Sequence, residues 1–209
     1  MVYNLENIII MSRSSYQNMV RSVVEAWPRE PTGYLIGPIK RAKHIVIDVY
    51  PVQTADRKPT EVTYGNHRAI KRLRKLEGIW KDKKLHKSYI GGYHGHMKNN
   101  LSNENVSRFN ELSDGDIKFI QQEMEALERE KWIEILMKFE NKNYMNEREI
   151  EEKITQRHRK VNVAINDEHF HGYKITFSAY LINRNLEVVP LTLKIENEIL
   201  ERKSISSSD

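Results

Sequence analysis

Cysteine is missing from all 209 positions. Its absence excludes a disulfide framework, a thiolate metal site and a thiol nucleophile, and leaves the redox compartment unread. Long apolar runs are missing too, since none approaches the length of about 18 residues that spans a bilayer. The first residues lack a basic start followed by a long apolar core, so no signal peptide is expected. Cytoplasmic placement with no membrane partner is the default expectation. Charge of one sign is also in short supply: 34 Lys and Arg face 29 Asp and Glu, for a formal net charge of +5. That balance gives a soluble surface with some attraction for acidic partners and falls short of a nucleic-acid footprint. With 39% hydrophobic residues, a chain of this length can bury one good core. One domain over residues 1–198 is expected, with the Ser-rich, charged stretch 199–209 as a frayed tail.

Along the chain, Leu5–Met11 reads as a first strand. Tyr16, Met19, Val20, Val23, Val24 and Trp27 recur at helical spacing, which predicts a helix over Ser14–Trp27, capped by serine and stopped by Pro28. Thr32–Pro38 and Lys43–Val52 read as a strand pair, followed by a polar loop over Thr54–Thr60. Asn66–Lys87 reads as a long basic helix burying Ile70, Leu73, Leu76 and Trp80. Between Arg68 and Lys87 it carries nine Lys and Arg against two acids, which reads as a solvated helix face. Ser113–Arg129 is expected to be a helix packing through Ile117, Ile120, Met124 and Leu127, and Trp132–Phe139 a strongly apolar strand. Asn141–Arg159 is nearly all charged and polar and looks like an inserted helix or flap. Lys160–Ile165, Tyr173–Asn183 and Leu186–Ile195 read as closing strands. Strands and helices interleaved in this way indicate an α/β domain with helices on both sides of a mixed sheet.

The chemistry concentrates in Tyr89-Ile90-Gly91-Gly92-Tyr93-His94-Gly95-His96 and, downstream, in Ser113-Asp114-Gly115-Asp116. Residues i and i+2 of a strand project to one face, so His94 and His96 can grip one cation. A catalytic zinc ion takes three protein ligands and leaves its fourth position to water, so a carboxylate is needed. Asp116, in the first turn of the helix that starts at Ser113, is the candidate; Asp114 and Glu111 are alternatives. Ser-x-x-Asp before an apolar run is also close to a capping box, which would hold the acid rigidly. Upstream, Glu30 precedes the Gly-bracketed run Gly33-Tyr34-Leu35-Ile36-Gly37 and could be the general base that a zinc-water hydrolase requires. A second pair, His169-Phe170-His171 behind Asp167 and Glu168, has no distant acid motif and reads as a solvated loop. His-Glu-x-x-His and Walker-type motifs are absent.

Glu-x-x-Gly-x-x-x-Gly from Glu30, His-x-His at His94 and Ser-x-x-Asp at Ser113, in that order, resemble the JAMM motif of MPN-domain zinc metalloproteases, which include deubiquitinases. The resemblance spans Leu5 to Lys194. It implies a single MPN-like α/β domain, with a mixed β-sheet layered between helices and insertions at about 97–112 and 141–159. It also implies one zinc ion on His94, His96 and Asp116, Glu30 as the base, and the Ser113 hydroxyl as an oxyanion donor. The implied activity is isopeptide or peptide cleavage after the C-terminal glycine of ubiquitin or a ubiquitin-like protein. Two departures stand out. Gly95 and Met97 replace the usual Ser and Pro, and Asp116 lies twenty positions after His96, farther than usual. The extra residues fall in the polar stretch Met97–Leu112, expected to be a loop that orders against the extended tail of the substrate. Two rivals are an inert MPN scaffold or ubiquitin-binding module and a nucleic-acid-binding protein using the basic helix; the intact Glu30, histidines and Ser113 count against the first.

Overall fold

The run Ile8-Ile9-Ile10-Met11 is β-branched and apolar, and it forms strand β1 (Ile8–Met11) at the heart of a mixed sheet. The structure is a computed structural model and describes residues 7–26, 29–38, 44–52, 56–57, 62–63, 67–98, 112–142, 152–154, 158–164 and 172–196. After β1 the elements are α1 (Arg13–Ala26), β2 (Thr32–Pro38), β3 (His44–Val46), β4 (Asp48–Pro51), β5 (Asp56–Arg57), β6 (Val62–Thr63) and α2 (His67–Asp82). They continue with β7 (Lys87–Lys98), α3 (Asp114–Ala126), β8 (Lys131–Lys142), β9 (Glu152–Ile154), β10 (His158–Ala164), β11 (Gly172–Asn183) and β12 (Val188–Ile195). The fold is mixed α/β.

The main sheet runs β3-β1-β12-β11-β8-β7-β2-β4, with β10 and β9 branching from β11 and β5-β6 a separate pair. Its two ends meet. Residues 44–46 pair in parallel with β1, and residues 48–51 pair antiparallel with β2. Between them the Ile47 amide donates to the Ile36 carbonyl at 2.9 Å, so one stretch of chain bridges both edges and the sheet curls into a nearly closed barrel. Closing a sheet removes its exposed edges. The strand pair expected at Thr32–Pro38 and Lys43–Val52 is therefore only half the arrangement, because the β3 half belongs to β1.

Alternation along the strands sorts the core into two. Leu35, Tyr93, Ile133, Ile135 and Met137 pack with Met19 and Val23 of α1. Tyr34, Ile36, Tyr89 and Trp132 pack with Leu73 of α2 and with Ile120, Met124 and Leu127 from α3 and its end. Period-two alternation gives that split along β2 and β8, and in β7 a bulge opposite Leu35/Ile36 puts Tyr89 and Tyr93 on opposite faces. Burying each such side chain is worth about 1.5–3 kcal/mol. At the start of α1, the Ser15 amide donates to Ser12 Oγ at 3.2 Å, a serine cap two residues before Ser14.

Two helices stop sooner than their periodicity predicts, α2 at Asp82 rather than Lys87 and α3 at Ala126 rather than Arg129. In each a non-glycine residue turns left-handed, Lys84 at φ 53° and Glu128 at φ 56°. The amide beyond it reaches back five residues, Leu85 to the Trp80 carbonyl at 2.9 Å and Arg129 to the Met124 carbonyl at 2.8 Å. Glycine is the usual signal for that stop, and lysine and glutamate gave none. Of the stretch 141–159, expected as an inserted helix or flap, the described residues are strand: β8 continues through Lys142, and Glu152–Ile154 and His158–Arg159 lie in β9 and β10. Trp27, Pro28, most of the 97–112 loop, His169–His171 and the 199–209 tail lie outside the described residues.

Strand β7 lies between β2 and β8, antiparallel to one and parallel to the other. A Cβ on Gly91 would sit 1.9 Å from the Ile133 carbonyl oxygen, whereas one on Gly78 in α2 would meet nothing within 4 Å. Gly91→Ala should therefore lower stability by about 1–3 kcal/mol or more. Gly78→Ala should raise it by about 0.5–1 kcal/mol through helix propensity. Urea midpoints measure both, and equal shifts of the same sign would contradict this placement of β7 against β8.

Candidate metal centre

A Leu35/Ile36 bulge in the β2–β7 pairing sets the parity of the strand's end, so that Tyr34 faces Gly92 and Thr32 faces His94 across the sheet. His94 and His96 then point to the α2/α3 side, as their i, i+2 spacing predicts. Their Nε2 atoms lie 3.2 Å apart. Asp116 comes from the opposite wall, on the first turn of α3, with Oδ1 3.4 Å from His94 Nε2 and Oδ2 3.5 Å from His96 Nε2. Four-coordinate zinc with bonds of 2.0–2.1 Å has donor-to-donor edges of about 3.3 Å. The separations are close to that edge, although Asp116 turns a different oxygen to each imidazole, and His94, His96 and Asp116 form a group that could hold a metal ion. Asp114, the alternative ligand, is exposed, and Glu111 lies outside the described residues.

The acid is held from behind. The Ser113 amide donates to Asp116 Oδ2 at 2.6 Å, and the Asp116 amide donates to Ser113 Oγ at 3.2 Å, a complete capping box. The capping bond uses Ser113 Oγ as acceptor and leaves its O–H to donate. Helix α3 is tied to the sheet by Tyr34, whose hydroxyl donates to Glu123 Oε2 at 2.8 Å. Burial raises the Glu123 pKa, the Tyr34 hydrogen bond opposes the rise, and the charge of Glu134 adds to it.

Glu30 is buried at 8% exposure and lines the same cleft of about 310 Å³ as His94, His96, Ser113 and Asp116. Its neighbour Pro31 accepts from the Gly95 amide at 2.9 Å, which fastens the turn carrying Glu30 to the strand between the two histidines. Glu30, Ser113, His94, His96 and Asp116 thus share one cleft. The basic face of α2 is exposed at Lys71, Arg72, Lys75 and Lys81 and does not line it. Arg74 of the same helix bonds the Ala126 carbonyl and lies 3.8 Å from Glu128.

One cleft residue was missed by the sequence reading. Glu134 of β8 is 4% exposed and accepts from His94 Nδ1 at 2.7 Å, while Trp132 Nε1–H donates to its other oxygen at 2.7 Å. The signal was present, since Glu134 interrupts the otherwise apolar Trp132–Met137.

No family model matches the sequence, and no curated protein matches it. Among solved structures, the solution structure of a protein from Desulfitobacterium hafniense is similar, with 13% sequence identity and a TM-score of 0.51. The likeness covers 90% of this chain and 93% of that one. At that identity it shows a shared fold and nothing of function. No helix among the described residues is long and apolar enough to cross a membrane.

Charge in the cleft is unbalanced without a cation. Burial would lower the His94 pKa, but hydrogen bonds to Asp116 and Glu134, with their charges, override it and push the pKa from 6.5 up to about 10. Burial likewise works against the Asp116 carboxylate, and the bonds from His94, His96 and the Ser113 amide hold its pKa far below the usual range. A metal needs the neutral imidazole, so at any pH below about 10 binding must expel the His94 proton. Near pH 8, binding of zinc should release about one proton to the buffer, and affinity should rise with pH until about 10. Calorimetry in two buffers of different ionisation enthalpy reads the proton count. His94→Ala or His96→Ala should abolish most uptake, whereas His169→Ala should not. Binding with no proton release, or metal retained in both variants, would contradict the assignment.

Proposed function

We propose that the protein is a zinc-dependent isopeptidase or peptidase of the JAMM type, acting after the C-terminal glycine of ubiquitin or a ubiquitin-like protein. One observation carries the reading: His94, His96 and Asp116 converge as a group that could hold a metal ion, in a cleft that Glu30 and Ser113 also line. The order of the motifs from Glu30 to Asp116 adds to it, as does the placement of the sheet with helices on both faces. The MPN-like layering and the identity of the metal as zinc belong to the same proposal.

When bound, zinc supplies a Lewis acid that brings the pKa of a water near neutrality. The rest is the work of the chain. The Glu30 carboxylate takes a proton from the attacking water as the C–O bond forms, and delivers it to the amine nitrogen, whose C–N bond breaks when the tetrahedral carbon collapses. Ser113 donates its free O–H to the oxygen on which charge develops; one such donor is worth about 2.7–4 kcal/mol. Half-burial of the cleft strengthens both interactions by lowering the local dielectric. His94, His96 and Asp116 serve as ligands and move no proton in the cycle.

Glu30→Gln should keep the fold and the bound zinc while lowering turnover by about 10²–10⁴-fold, the usual worth of general-base help. Zinc-loaded protein incubated with ubiquitin-like conjugates, with and without chelator, gives the parent rate. Chelator-insensitive cleavage, or a Glu30→Gln variant with near-parent turnover, would remove Glu30 and the metal from the mechanism. Binding of conjugates without any cleavage would favour the inert scaffold instead.

A further inference from the structure

Glu134 is a carboxylate 4% exposed in a strand whose neighbours Trp132, Ile133, Ile135, Leu136 and Met137 are all buried and apolar. A buried charge survives only where its oxygens are satisfied, and both oxygens of Glu134 are spoken for. Oε1 lies 2.7 Å from His94 Nδ1, and Oε2 accepts from the indole N–H of Trp132 at 2.7 Å. Trp132 is itself 1% exposed, so the carboxylate is gripped from a fixed point. The sheet makes room for it. Glu134 stands opposite Gly92 in the parallel β7–β8 register, and a Cβ on Gly92 would sit 3.1 Å from Oε2 and 3.2 Å from the Trp132 ring. Glu134 thus reaches along the strand to His94, two residues on.

We infer that Glu134 is a positioning residue for the metal centre, fixing the ring orientation and tautomer of His94 so that Nε2 presents its lone pair beside His96 and Asp116. The inference rests on the metal-centre reading above and adds a residue that the motif does not contain. An ionised carboxylate only accepts, so it can hold the N–H of His94 on Nδ1 and that of Trp132 at once. With Nδ1 bearing the proton, the neutral imidazole has its free lone pair on Nε2, the atom 3.4 Å from Asp116 Oδ1. Without Glu134 the ring can turn, or carry its proton on Nε2, and the cation loses a donor.

Zinc affinity, by competition with a chromophoric chelator, and the visible spectrum of the cobalt-loaded protein test this without reference to catalysis. Glu134→Gln is nearly isosteric, but its amide can satisfy only one side and turns a donor toward the other. It should weaken zinc binding by about 10–100-fold, the usual effect of losing such a partner, and alter the cobalt spectrum. Trp132→Phe removes the indole N–H, so a glutamine at 134 is then free to turn its carbonyl to His94. In that background Glu134→Gln should cost much less. Glu134→Asp keeps the charge but withdraws it by one methylene, and should also lose about tenfold or more. Affinity within about threefold of the parent, with an unchanged cobalt spectrum, in Glu134→Gln and Glu134→Asp would overturn the inference. So would a loss that Trp132→Phe leaves untouched, which would assign the effect to charge alone. A parent protein that binds zinc yet cleaves no conjugate sinks the proposed function and leaves Glu134 in place; a parent that takes up no zinc overturns both.

Discussion

The structure depends on one electrostatic constraint, the gathering of Glu30, Asp116 and Glu134 around two imidazoles in a half-buried cleft. Like charges brought together out of water repel strongly, and each carboxylate pays for its own desolvation besides. In the metal-free protein the constraint is met by a proton held on His94 well above its ordinary pKa. A divalent cation at the group that could hold one would compensate two charges where His94, His96 and Asp116 converge. The capping box on Asp116 and the Trp132–Glu134 bond are then not incidental polar contacts. They hold acids where repulsion would otherwise push them apart.

Backbone packing supplies the rigidity that this arrangement needs. Strand β7 is paired with β8 through both histidines and with β2 as far as His94, so neither histidine's backbone can shift without breaking ladder bonds. The glycines at 91 and 92 allow the close approach to Ile133 and the space for Glu134, and aromatic residues fill the rest of that face. Tyr34 makes edge contacts with Tyr89 and Trp132 at centroid distances of 5.5 and 6.4 Å, while its hydroxyl anchors α3. One side chain therefore connects the packing of the sheet with the placement of the helix that carries Asp116. Behind it, Glu77 of α2 bonds Ser88, the Tyr89 amide and Arg129, tying the entry of β7 to both flanking helices.

Much of this was legible in the sequence because local rules carried it. The i, i+2 histidines, the Ser113 cap, the acid one turn into α3 and the apolar periodicity of α1, α2 and β8 each depend on residues close in the chain. What escaped was non-local or unsigned. The bridging of β1 and β2 by residues 44–51 is a long-range pairing that no short window encodes. Lys84 and Glu128 adopt left-handed backbone without the glycine that would announce it, so α2 and α3 were read too long. Residues 152–154 and 158–159 carry charge patterns that suit a solvated helix, yet they pair as strands at the margin of the sheet. Glu134 was passed over because an acid inside a strongly apolar strand conflicts with the period of that strand. Such conflicts between local pattern and global fold concentrate at functional sites.

The two departures from the JAMM motif that the sequence resembles have separate physical accounts. Gly95 stands where a serine is usual, and a Cβ there would lie 2.6 Å from the Pro31 ring. The proline takes the space of the missing side chain, and its carbonyl accepts from the Gly95 amide, so the pair still locks the histidine strand to the turn that carries Glu30. The long spacing from His96 to Asp116 bears on the site even less. Among the described residues, α3 is placed by Ile120 and Met124 in the core, by the Tyr34–Glu123 bond and by its own cap. A connection between two fixed points can lengthen at an entropic cost that grows only as the logarithm of its length, about 0.6 kcal/mol per doubling. Helix docking, not sequence distance, decides whether the candidate third ligand arrives, and that is why a long spacing from His96 still delivers Asp116 to within 3.5 Å of both imidazoles.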